Sequence, residues 1–121
     1  MTIFTWLILG HLIGDWLFQN DWMARNKHRH LVTVAGVTHF IIYTSSVMIV
    51  LLLFADFSLP APQLLLFTML LFVSHWLIDA PNLASRWASV IQQTDTPIVR
   101  IAVDQTFHLL VLALLIESFS L

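Results

Sequence analysis

The sequence predicts an all-α, polytopic membrane protein with four transmembrane helices. The apolar fraction of the 121 residues is 59% and the charged fraction is 10%, against about 45–50% and about 25% in soluble domains. Four apolar stretches each approach the roughly 20 residues that a helix needs to cross a bilayer core. None of them alternates with the period of two expected of a membrane β-strand. The length predicts one domain over residues 1–121, with little mass outside the bilayer.

The predicted spans are residues 2–19, 31–55, 62–80 and 98–120. The first stretch lacks a basic leading region and a small-residue cleavage site, so we expect a retained helix rather than a signal peptide. Between the third and fourth spans, residues 81–97 carry Leu83, Trp87 and Ile91 at helical spacing. This spacing predicts a short helix lying in the membrane interface.

The cations predict the orientation of the chain. Arg25, Lys27 and Arg29 lie in the first connection, Arg86 lies in the third, and Arg100 follows shortly after it. Under the positive-inside rule, these connections face the cytoplasm and both termini lie outside it, in a bacterial inner membrane. The net charge of −2 and the lack of a basic stripe argue against a nucleic-acid partner. Because the chain has no cysteine, disulfides and thiolate metal sites are excluded.

Seven ionisable side chains interrupt the apolar spans. Each costs about 2.5–3.5 kcal/mol to insert near a bilayer centre, so the group requires a compensating structure. Counting about 1.5 Å per residue from the helix ends puts them all in the cytoplasmic half of the bundle, with Asp79 nearest the surface. The seven residues are His11, Asp15, His39, His75, Asp79, Asp104 and His108.

The spacing of these residues predicts a metal site. His11–Asp15, His75–Asp79 and Asp104–His108 are each four residues apart, so the members of each pair share one helix face. Paired helical ligands of this kind hold metals in di-metal bundles and in H-E-x-x-H enzymes. Imidazoles and carboxylates suit a divalent Zn, Mn or Fe ion, and the set could supply one ion or two.

A single His–Asp pair often does no more than hydrogen-bond neighbouring helices together. Three pairs and His39 at matching depth favour a metal or proton site instead. Gly10 and Gly14 predict close helix packing beside the first pair. Gln19, Tyr43 and Gln105 are candidate hydrogen-bonding partners of the ligands.

The basic first connection has two interpretations that are compatible with each other. Its cations set the topology and contact lipid headgroups. Arg25, Lys27 or His30 could also bind a phosphate at the cytoplasmic mouth of the site.

Four motifs together resemble one known family. They are H-L-I-G-D-W-L-F-Q-N-D-W-M-A-R-N-K at 11–27, His39, S-H-W-L-I-D at 74–79 and D-Q-T-F-H at 104–108. In this order they resemble domain of unknown function 3307, an uncharacterised family of small bacterial membrane proteins. The T-H-F around His39 and S-H-W-L-I-D are more loosely similar to bacterial membrane-bound metal-dependent hydrolases. The chain lacks the extended soluble portion of those hydrolases, and fold-level analogy does not establish chemistry.

These observations predict a metal-dependent hydrolase of a lipid or phosphorylated amphiphile. The predicted metal ligands are His11, His39, His75, Asp79 and His108. The predicted catalytic carboxylates are Asp15 and Asp104. Arg25 and Lys27 are predicted to contact a phosphate. No hydroxyl stands out as a nucleophile, so we expect attack by water. Three alternatives remain open: proton or metal-ion transport, haem ligation by two histidines, and an accessory subunit of a membrane complex. Membrane lipids, a homo-oligomer and a larger complex are the expected partners.

Overall fold

A computed structural model describes residues 1–56, 58–93 and 95–121. The chain is all-helical, and no β-strand occurs in these three ranges. The helices are α1 (Ile3–Leu12), which continues into a π-helical segment (Ile13–Leu17), α2 (Asp21–Asn26), α3 (Val34–Phe54), α4 (Ala61–Asp79), α5 (Leu83–Val90) and α6 (Pro97–Phe119).

Side-chain caps and prolines define where the helices begin. The Thr2, Asn20 and Thr33 side chains each accept a hydrogen bond from a backbone N–H in the first turn of α1, α2 and α3, which satisfies one otherwise unpaired donor. Proline opens α4 and α6, because its missing N–H and fixed φ suit the first helical turn.

Among the described residues, three helices are long and apolar enough to cross a membrane: α3, α4 and α6. They correspond to the second, third and fourth predicted spans. The first predicted span, residues 2–19, is a shorter apolar helix over Ile3–Leu17. A short helix, α5, lies between the third and fourth predicted spans; its position in the membrane interface stays a prediction.

The four apolar helices form a ring. Helix α1 packs on α3 and α6, and α4 also packs on α3 and α6. Glycines bring α1 and α3 together, because a Cβ built on Gly10 would lie 2.7 Å from the Cα of Val47, and one on Gly14 would lie 2.8 Å from the Cα of Tyr43. The predicted close packing at these two glycines is therefore confirmed.

One end of the ring has an apolar core. It contains Leu7, Val47, Leu51, Phe67, Leu71, Leu112 and Leu115, all buried. Tyr43 lies at the boundary of this core and stacks on His75, with the ring centroids 3.6 Å apart. Beyond Tyr43, the interior of the other end is polar.

Candidate metal centre

Alternating helix directions bring the polar residues to one end of the ring. Asp15 is on the π-helical segment that ends the first apolar helix, and His39 is in the second turn of α3. His75 lies one turn before Asp79, the last residue of α4, and Asp104 and His108 are in the first half of α6. This topology places the polar residues at a shared depth in the bundle, as the sequence predicts.

Four buried side chains form a cage of ligand atoms within 4.8 Å of one another: Asp15, His39, His75 and Asp79. His39 Nε2 lies 3.0 Å from His75 Nε2 and 3.2 Å from both Asp15 Oδ1 and Asp79 Oδ2. His75 Nε2 lies 3.5 Å from Asp79 Oδ2 and 3.9 Å from Asp15 Oδ1. Ligands about 2.0–2.1 Å from a tetrahedral zinc ion are separated by about 3.3 Å. The separations in the cage are close to this value, so these four residues could hold a metal ion.

Neighbouring structure orients the side chains of the cage. The parallel stack on Tyr43 fixes the plane of the His75 ring, and Phe40 contacts the His39 ring edge-on at 5.7 Å. The π-helical turn, closed by a Phe18 N–H to Ile13 C=O hydrogen bond of 3.0 Å, turns Asp15 inward. Such π-helical turns occur frequently at functional sites.

A second set of ligand atoms adjoins the cage and shares one residue with it. Asp15, Asp104 and His108 also offer ligand atoms within 4.8 Å of one another. The Asp104 side chain is 28% exposed, whereas the His108 side chain is 1% exposed. Asp104 is therefore more exposed than Asp15, the other carboxylate of this set, whose side chain is 4% exposed.

Gln105 connects the first helix to α6 through the polar cluster. Its Oε1 pairs with His11 Nε2 at 2.7 Å, and its Nε2 donates to Asp15 Oδ2 at 3.0 Å and to Asp104 Oδ2 at 3.3 Å. Gln105 thus orients both carboxylates, the role that the sequence predicts for it. His11 lies next to the ligand sets, its ring centroid 5.2 Å from that of His108, with Nε2 occupied by Gln105.

The first connection covers the cage from outside. The Lys27 ammonium contacts Asp79 Oδ2 at 2.5 Å and His39 Nε2 at 3.5 Å, and the Lys27 side chain is only 8% exposed. His28 Nδ1 donates to the backbone carbonyl of Asp79 at 2.6 Å. Desolvation lowers the pKa of His28, which favours its neutral ring. These contacts bury Asp79, which by position alone would lie near the surface.

The remaining cation predicted to contact a phosphate points away from this site. Arg25 pairs with Asp21 at 3.0 Å, and both side chains are exposed. The structure thus brings Lys27, His39, His75, Asp79, Asp15, Asp104 and His108 together, with His11 beside them and Arg25 outside. Sequence reasoning misses the contribution of Lys27 and His28 to burying Asp79, because residue counting places Asp79 near the surface.

The chain matches the family described as Protein of unknown function (DUF3307) over residues 3–121. It belongs to this family. No curated protein and no solved structure matches it significantly. The match confirms the resemblance to this family, and it gives no support to the looser similarity to membrane-bound metal-dependent hydrolases.

Proposed function

We propose that this protein is an inner-membrane hydrolase with a divalent metal ion held by Asp15, His39, His75 and Asp79, acting on a lipid or a phosphorylated amphiphile. The observation that carries the proposal is the cage itself. Four ligand atoms from three helical segments lie within 4.8 Å of one another, and the five separations that involve a histidine nitrogen are 3.0–3.9 Å. When His39 and His75 are neutral with their protons on Nδ1, their two Nε2 lone pairs and the two carboxylate oxygens are directed at one point, as metal ligands are.

The charge of the cluster supports a divalent ion. In the protonation state that binds a metal ion, the carboxylates of Asp15, Asp79 and Asp104 are ionised and the imidazoles are neutral, so three negative charges face the one positive charge of Lys27. Two negative charges remain without compensation in a largely buried site, where unpaired charge costs several kcal/mol. A doubly charged cation balances them, and two imidazoles with two carboxylates suit Zn, Mn or Fe.

The chain's own residues supply the rest of a hydrolytic site. When bound, a divalent ion provides Lewis-acid chemistry, polarising a carbonyl or phosphoryl oxygen and acidifying water. Lys27 holds an ammonium beside the cage, where it can bind an anionic oxygen of the substrate. Asp104 is partly exposed and close to the cage, so it can accept the proton from the attacking water.

The proposed topology has four membrane spans, the cluster in the cytoplasmic half and both termini outside. Arg25, Arg29, Arg86 and Arg100 are all exposed near the polar end of the ring, and this supports a cytoplasmic position for that end. The chain has no native cysteine, so Arg29→Cys and Ser58→Cys each carry one label site. An impermeant maleimide added to intact cells should label Ser58→Cys and leave Arg29→Cys unlabelled. The reverse pattern would contradict this orientation.

The test of the metal site is the metal content of protein purified in detergent without chelators. Wild-type protein should carry Zn, Mn or Fe, and His75→Ala should lose it by more than the 10–100-fold typical of a change in a residue that only orients a ligand. His30→Ala is the matched control, because His30 is exposed in the first connection. Wild-type protein that binds none of the three metals, even after loading, would overturn the proposal.

The test of hydrolysis uses metal-loaded protein and mixed micelles of detergent with an anionic phospholipid. Wild-type protein should release water-soluble product or free fatty acid, and Asp104→Asn should reduce kcat by the 10²–10⁴-fold typical of losing a general base. Lys27→Met should chiefly raise KM, because it removes a contact with the anionic group. Turnover that is equal in wild-type protein and Asp104→Asn would remove Asp104 from this role.

A further inference from the structure

The two ring nitrogens of His108 have different partners. Nδ1 lies 2.8 Å from the backbone carbonyl oxygen of Asp104, and a carbonyl can only accept. Nδ1 therefore carries the proton and donates it, which leaves Nε2 of the neutral ring with a free lone pair. A hydrogen bond from the second ring nitrogen to a backbone carbonyl is what orients histidines that bind metal ions.

The free nitrogen of His108 faces another acceptor. Nε2 is buried without a hydrogen-bond partner, and so is Asp79 Oδ1, with 3.5 Å between them. A charge-assisted hydrogen bond between these atoms would be about 2.7–2.9 Å long. Two buried acceptors that face each other at 3.5 Å are instead separated as two ligands of one cation are.

The carboxylates of Asp15 and Asp79 each lie close to residues of both ligand sets. Asp79 directs Oδ2 at His39 and His75 and Oδ1 at His108. Asp15 belongs to both ligand sets, one with His39, His75 and Asp79, the other with Asp104 and His108. Carboxylates shared between adjacent ions are the usual bridges of di-metal sites built in helical bundles.

We propose that the centre is dinuclear, with a second divalent ion bound by His108 Nε2 and Asp104 and bridged to the first ion by Asp15 and Asp79, and with the added positive charge balanced by hydroxide and by the anionic group of the substrate. The inference rests on the proposed function, since the bridges are ligands of the first ion. The two ions would lie about 3.5–4 Å apart, as in two-metal hydrolases. Asp104 binds through one oxygen, so its other oxygen still accepts the proton from water.

The test is a titration with manganese alone, followed by equilibrium dialysis and electron paramagnetic resonance. Wild-type protein should bind two Mn per chain, and the spectrum of the fully loaded form should show exchange coupling between neighbouring ions. His108→Ala should bind one Mn and give the spectrum of an isolated ion, and added imidazole should restore the second ion. His30→Ala should behave as wild type.

The outcomes separate the two proposals. One uncoupled Mn per chain in wild-type protein would overturn the dinuclear centre and leave the proposed function intact, with His108 an imidazolium paired to Asp79. No bound Mn, Zn or Fe would overturn both proposals. Because coupling is measured on wild-type protein, the test stands even where His108→Ala fails to fold.

Discussion

The two ends of the ring bury side chains of opposite character on the same four helices. At one end, Leu7, Leu51, Phe67 and Leu112 interlock as an apolar core. At the other end, carboxylates, imidazoles and one ammonium take the same interior positions. An apolar core stabilises the fold without burying polar side chains, whereas the polar end leaves Asp79 Oδ1, His108 Nε2 and the Nδ1 atoms of His39 and His75 without hydrogen-bond partners.

Each buried polar atom without a partner lowers stability by about 1–3 kcal/mol. Hydrogen bonding between helices therefore does not by itself explain the polar end. Residues arranged only for stability would pair donors with acceptors, as Gln105 does with His11 and Asp15. The difference between the two ends indicates that metal binding and the stability of the fold depend on different residues. Substitutions at the two ends should therefore affect metal affinity and stability independently.

The largest effect on metal affinity is expected for Asp79→Asn. It removes the charge that contacts Lys27, His39, His75 and His108, and the metal content should fall below detection. Leaving the buried ammonium unpaired should also cost about 3–5 kcal/mol of stability. Metal analysis and thermal unfolding in detergent measure the two effects. The control is Asp95→Asn, an exposed carboxylate, and equal metal content in the two variants would contradict the assignment.

A smaller loss of affinity is expected for Gln105→Leu. The leucine keeps the volume but removes the hydrogen bonds that orient Asp15 and Asp104. Metal affinity should fall about 10–100-fold, the usual cost of losing a residue that orients ligands. Competition against a chromophoric chelator measures the change. A variant with unchanged affinity would show that the carboxylates keep their positions without Gln105.

Gly14→Ala should act on the site through the backbone. The added Cβ would meet Tyr43 Cα at 2.8 Å, so α1 and α3 must separate, at about 1–3 kcal/mol for overpacking. The shift moves Asp15 and the Tyr43 ring that orients His75, so metal affinity should fall modestly. Gly36→Ala is the control, since its added Cβ meets only side-chain atoms, at 3.0 Å or more. Equal Tm values for the two variants would contradict the close approach at Gly14.

The smallest effect on metal affinity is expected for Phe67→Ala, in the apolar end. Phe67 is fully buried, and truncation to alanine should cost about 3–5 kcal/mol of stability through the cavity it leaves. Metal affinity at temperatures where the variant is folded should not change. A parallel loss of metal affinity would show that the two ends are coupled, and it would contradict the conclusion that metal binding and stability depend on different residues.

The sequence predicts the helices and the shared depth of the polar groups because both follow from hydropathy and residue counting. It also predicts the close packing at Gly10 and Gly14. It does not predict that Lys27 folds back onto Asp79, because that contact joins residues 52 positions apart through a polar connection. The π-helical turn at Asp15 is likewise invisible, since the local sequence IGDWL carries no signal that distinguishes it from an α-helical turn. Arg25 and Lys27 are two residues apart, and only the fold separates one as exposed and the other as buried.

X-ray absorption spectroscopy on protein loaded with a single equivalent of zinc tests the central claim most directly. The account predicts a four-coordinate ion with N or O ligands at about 2.0–2.1 Å and the outer-shell scattering of two imidazoles. His75→Ala should lose one imidazole contribution, and His30→Ala should retain both. A spectrum of oxygen ligands alone, without imidazole scattering in wild-type protein, would contradict the assignment of His39 and His75 as metal ligands.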